Sequence, residues 1–159
     1  MTKRRQHKSN IWHYASGANR TPDIKGFAYD LNYNIGLVAG EIKEEQMTLL
    51  TGLAGRDVKV FIDSGAYSEN IHKPITHNEW IDRLDIYNRI GWTLGEQLTV
   101  VAPDQVKSQK GTLKRLKRYK DRIQDLTLLG VRILIPVQSG AMSRAQFYQE
   151  QAKVLGFQI

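Results

Sequence analysis

The sequence predicts an α/β protein with a parallel sheet flanked by helices, and three observations predict it. Apolar, β-branched runs recur at residues 58–62, 98–102 and 131–137, with amphipathic segments between them. Each run stops at a polar turn: Asp63-Ser64-Gly65, Pro103-Asp104 and Gln138-Ser139-Gly140. Capping-box spacings at Thr76/Glu79 and Ser143/Gln146 open two of the intervening helices. Continuous apolar strands imply a parallel sheet covered on both faces. Two architectures meet these conditions, a (β/α) barrel and an open doubly wound sheet. In both, chemistry gathers at the carboxyl ends of the strands.

The elements follow in order. Residues 1–9 carry Lys3, Arg4, Arg5 and Lys8, with no apolar stretch behind them. They read as a basic, frayed tail rather than a secretory signal, and residues 10–159 as one domain. Residues 11–15 read as a strand ending at Ser16-Gly17. Residues 19–40 are rich in Gly, Asn, Asp and Tyr and read as a long loop with a short strand at 35–38. A helix is expected from Glu41, with Ile42, Leu49, Leu50 and Leu53 on its apolar face and three glutamates in its first turns. The next helix places Trp80, Leu84, Tyr87 and Ile90 on one face. A single long helix is expected over 112–129, from Leu113, Leu116, Tyr119, Ile123, Leu126 and Leu129, closed by Gly130. A last helix ends at Gly156, and residues 157–159 read as the start of a further strand.

The totals restrict the function classes. A chain of 159 residues with 41% hydrophobic and 25% charged residues suits one folded domain. It has no cysteine, which excludes disulfides and thiolate metal sites. No apolar run nears the roughly 20 residues of a membrane helix, so a cytoplasmic protein is expected. The formal net charge of +7 favours a polyanionic partner, above all nucleic acid. Lys107, Lys110, Lys114, Arg115, Lys117, Arg118, Lys120 and Arg122 form a basic segment that can face phosphates or simply solvent. His13, His72 and His77 lack metal-ligand spacing, and Trp12, Trp80 and Trp92 read as packing residues. There is no Walker loop and no dinucleotide fingerprint.

The candidate site follows from the strand ends. In a parallel fold they share one rim, which brings Asp63, Asp104 and Gln138 together. Carboxylates accept N–H donors and a glutamine amide both donates and accepts, a set that suits the edge of a purine-like base. Tyr67 could stack on its face, and Gly65 and Gly140 would let backbone approach a ligand. The alternative is that Asp63-Ser64-Gly65 is an ordinary turn and the aspartates are helix caps.

On the stretches Phe61-Ile62-Asp63-Ser64-Gly65-Ala66-Tyr67, Val101-Ala102-Pro103-Asp104 and Ile135-Pro136-Val137-Gln138-Ser139-Gly140, the chain resembles the tRNA-guanine transglycosylase superfamily. The style is closer to the branch that puts 7-deazaguanines into DNA. The resemblance spans roughly residues 58–159 and implies the first half of a TIM-type barrel. It implies exchange of guanine in tRNA or DNA for a 7-deazaguanine. Asp63 would contact the base and assist proton transfer, Tyr67 would stack on it, and Asp104 would read its amine and ring nitrogen. Gln138 would contact the base, Gly140 would belong to its glycine-rich turn, and Ser64 and Gly65 would line the pocket. Ala66 and Ser139 depart from the glycines usual in the tRNA enzymes. The nucleophilic aspartate and a Cys/His zinc site would belong to a second half absent from this chain. No cofactor or metal is therefore expected here. A second polypeptide or a homo-oligomer would complete the barrel, and the chain alone would be inactive. Two other readings stand beside this one: a non-catalytic nucleic-acid-binding or regulatory relic, and an unrelated hydrolase using Asp63 and Asp104 on a metal.

Overall fold

The computed structural model describes residues 13–157. The basic tail, Trp12, and the end of the expected final strand lie outside them. Five parallel strands, β1 (Ala15–Ser16), β2 (Ile35–Val38), β3 (Val60–Asp63), β4 (Leu98–Val101) and β5 (Arg132–Leu134), pair in chain order β1-β2-β3-β4-β5. A doubly wound sheet reverses direction at a switch point; this one does not. Right-handed crossovers taken always in the same direction put every connecting helix on one face.

Burial agrees. The rows Ile35–Val60–Leu98 and Leu37–Ile62–Val100 run across neighbouring strands, and each of these side chains is at most 2% exposed. Each such buried Leu, Ile or Val is worth about 1.5–3 kcal/mol. The alternate row, Ser16–Gly36–Phe61–Thr99–Arg132, crosses all five strands on the opposite face. It lines a concavity of about 490 Å³. Phe61 and Thr99 are half-buried there, and Ser16 and Arg132 are exposed. Of the two expected architectures, this one-sided cover among the described residues fits the barrel arc rather than the doubly wound sheet. The strand residues between the apolar positions include Ser16, Gly36 and Thr99, which no described helix covers.

The helices are α1 (Thr21–Ile24), α2 (Glu44–Thr51), α3 (His77–Leu94), α4 (Gln109–Arg118), α5 (Lys120–Leu128) and α6 (Arg144–Leu155). Both capping boxes form. Thr76 Oγ1 accepts from Glu79 N at 3.3 Å, while Thr76 N donates to Glu79 Oε2 at 2.7 Å. Ser143 and Gln146 repeat the exchange at 3.2 and 3.0 Å. The α3 face of Trp80, Leu84, Tyr87 and Ile90 is buried as expected.

Of the expected first strand, residues 11–12 lie outside the described residues, and the described part pairs at Ala15 and Ser16. Four expectations about elements are revised. The stretch expected as loop holds α1, with Pro22 in its first turn, and a wider helical continuation over Lys25–Asp30. Helix α2 starts at Glu44, because residues 39–41 first form a tight turn. The expected long helix is broken at Tyr119, whose ψ of 14° leaves the helical range. Tyr119 is buried, stacks on His77 with centroids 5.8 Å apart, and its hydroxyl lies 3.0 Å from His77 Nδ1. Docking of that ring wins over helical continuity. The fifth strand spans three residues rather than seven. It stands at a sheet edge, and Pro136 removes a ladder donor. Trp92, expected to pack, is 78% exposed.

Candidate functional site

The carboxyl ends of β3, β4 and β5 hold one connected polar network. Ser64 Oγ donates to Asp104 Oδ1 at 3.1 Å. Gln138 Nε2 donates to Asp104 Oδ2 at 2.9 Å. The orientation of the Gln138 amide is fixed from behind, because Lys107 N donates to its Oε1 at 3.0 Å. Lys107 adopts φ +62°, a left-handed backbone that costs a non-glycine residue about 1–2 kcal/mol. That conformation aims its N–H at the glutamine. Ser64 Oγ also accepts from Ala66 N at 3.2 Å. Each Asp104 oxygen thus accepts one bond, and a carboxylate has roughly four acceptor positions.

Asp104 is 4% exposed. Its carboxyl is pushed above the usual carboxylate range, chiefly by burial and further by the nearby Asp63 charge, against the lowering effect of the Ser64 hydrogen bond and Arg115. Beneath it, the fully buried Tyr87 donates to Val101 O at 3.1 Å. Burial holds the Tyr87 phenol far up, so it stays neutral.

Asp63 is the last residue of β3 and stands two positions beyond Phe61, on the face that no described helix covers. Its Oδ1 accepts from Gly65 N at 2.6 Å, closing an Asx turn. Gly65 has φ +73°, and a Cβ there would lie 3.0 Å from both Arg83 Nη1 and Val38 Cγ1. Arg83, from α3, donates to the Ser64 carbonyl. Desolvation pulls the Arg83 guanidinium below its ordinary range.

The structure therefore brings Ser64, Asp104 and Gln138 into contact and sets Asp63 and Gly65 beside them. Tyr67 is carried outward on the turn Ala66–Asn70 and is 65% exposed. Gly140 packs against Gln109: a Cβ at Gly140 would lie 2.6 Å from Gln109 Cδ. Gln109 Nε2 donates to Gln138 O and Met142 O at 3.0 and 2.9 Å, and its Oε1 accepts from Met142 N at 3.0 Å.

Four side chains that hold this rim were not predicted from the sequence: Gln109, Arg83, Arg115 and Glu69. Arg115 pairs with both Glu69 oxygens at 2.7 and 2.8 Å and donates to the Asp104 carbonyl. The i,i+4 spacing of Arg115 to the docked Tyr119 is the one local hint; Glu69 lies 46 residues away. Among the described residues, no three His, Asp or Glu side chains converge on a point that could hold a metal ion. No described helix is long and apolar enough to cross a membrane.

No family model, curated protein or solved structure matches the chain.

Proposed function

We propose that this chain is the base-recognising part of a transglycosylase-type (β/α) barrel, reading a guanine or 7-deazaguanine at its strand-end rim. One observation carries the proposal: Ser64, Asp104 and Gln138, from the segments that follow three successive parallel strands, form one hydrogen-bonded cluster, with Asp63 beside it on the face that no described helix covers. The consecutive strand order suits the arc of a barrel, in which the strand ends carry the chemistry.

Asp104 offers acceptor capacity for the amine and ring N–H of a guanine edge. Gln138 is pre-aimed by Lys107, so its amide needs no reorientation to take part. Asp63 would hold or pass a proton at the base. Tyr67 would have to fold inward to stack, a motion its exposed turn permits. The reading gives this chain base recognition and assigns it no nucleophile. Base exchange, on tRNA or DNA, would need a second half that supplies one, along with any zinc.

Equilibrium dialysis with labelled guanine tests the reading. The wild-type chain should bind guanine in preference to adenine, and Asp104→Ala should lose that binding. Equal guanine binding by wild type and Asp104→Ala would overturn it, as would equal binding of guanine and adenine.

A further inference from the structure

A second concavity, of about 210 Å³, lies between the start of α3 and the length of α4. Its donors come from separate elements. His77 is the first residue of α3, Gln105 follows β4, Lys114 and Arg118 lie one turn apart on α4, and Tyr119 ends that helix. Helix α4 carries five basic residues and no acidic one. Arg115 also borders the pocket, but it is taken up by Glu69, the carboxylate that would otherwise answer the pocket's charge. Lys114 and Arg118 make no ion pair among the described residues.

We propose that this pocket binds a backbone phosphate of a single-stranded nucleic acid, deepening the base-recognition reading and resting on it for the identity of the strand. The chemistry is that of a tetrahedral oxyanion. An ammonium, a guanidinium and the hydrogen-bonded His77–Tyr119 pair reach it from several directions, and a phosphate's oxygens can answer donors set around it. A planar carboxylate presents two oxygens in one plane and leaves part of that donor set unused, which disfavours an acidic protein. The pocket also adjoins the base site. Gln105 is the residue after Asp104, and Arg115 binds the Asp104 carbonyl. A base at the rim and its phosphate at α4 would therefore be held through one short segment of chain.

Lys114→Ala/Arg118→Ala tests the site on the full chain, against the charge-matched control Lys110→Ala/Lys117→Ala, whose residues are exposed on the same helix outside the pocket. The probe is a short fluorescein-labelled oligothymidylate, which contains no guanine and so does not rely on the base site. Fluorescence anisotropy is measured across a salt series. The pocket variant should bind more weakly, with a log–log salt slope shallower by about 0.7, the value for one phosphate contact on a single strand. The control should keep the wild-type slope to a much greater degree. Equal loss in both double variants would mean diffuse charge and overturn the proposal, and so would no loss in either. Displacement of the probe by polyglutamate as effectively as by unlabelled oligothymidylate would overturn the assignment to phosphate. Single Lys114→Ala serves if the double variant does not fold. Guanine dialysis on the same proteins separates the two readings. Failure of guanine binding with the pocket result intact removes the base reading alone, and the reverse pattern removes the phosphate pocket alone.

Discussion

Two arginine–glutamate pairs with nearly the same geometry should differ severalfold in what they contribute to stability. Arg115 meets Glu69 at 2.7 and 2.8 Å, and Arg89 meets Glu44 at 2.6 and 2.9 Å. The side chains of the first pair are 17% and 11% exposed, and those of the second 54% and 77%. Removing one member of a buried pair strands the other and costs about 3–5 kcal/mol. Glu69 keeps one partner, since Ile75 N donates to its Oε1 at 2.7 Å, which favours the lower end, about 3 kcal/mol. Arg115→Ala also strips a donor from the Asp104 carbonyl, about 1 kcal/mol. It removes a guanidinium 5.2 Å from the Trp80 ring as well, about 0.5–1 kcal/mol. The expected loss is about 4–5 kcal/mol, a large share of a domain's typical 5–15. Arg89→Ala should cost far less, because water and salt screen the exposed pair. Urea unfolding followed by far-UV circular dichroism measures both. Adding Glu69→Ala to Arg115→Ala should cost much less than the two single changes added, because no orphaned charge then remains. If the two variants unfold at the same urea concentration, burial is not what decides the strength of these pairs and the reasoning fails.

Two further predictions concern the rim. The raised Asp104 pKa means that the folded state holds this proton at pH values where the unfolded chain has released it. Stability therefore falls as pH rises from about 3.9, the unfolded value, through the folded pKa. Asn at 104 can accept from Gln138 and donate to the Ser64 hydroxyl, so Asp104→Asn should flatten that decline and match or exceed wild-type stability at neutral pH. Urea midpoints from acid to neutral pH check this, and a variant that loses ground as pH rises would contradict it. Gly65 and Gly55 have similar positive φ, 73° and 75°, but only Gly65 is crowded by Arg83 and Val38. Gly55→Ala should cost about 1 kcal/mol of backbone strain, and Gly65→Ala about 2–3 kcal/mol because Arg83 must also leave the Ser64 carbonyl. Equal melting temperatures for the two variants would show that the crowding carries no cost.

The sequence alone determined the α/β class, the positions of β2, β3 and β4 to within two residues, both capping boxes, and the buried face of α3. Each is a local pattern, read from side chains within about one or two turns of each other or within a single strand. It also placed Asp63, Ser64, Asp104 and Gln138 on a shared rim, since strand ends of a parallel sheet must lie together. Only the tertiary structure decided the rest. The break at Tyr119 depends on His77, which lies 42 residues away. The short β5 depends on its place at the edge of the described sheet. The bare face of the sheet depends on the winding direction, which apolar runs do not encode. Arg83, Gln109, Arg115 and Glu69 find partners 6 to 46 residues distant. Such pairings are set when the chain packs, because a charged or amide side chain is interchangeable with any other on an exposed helix. It becomes particular only once burial removes water as the alternative partner.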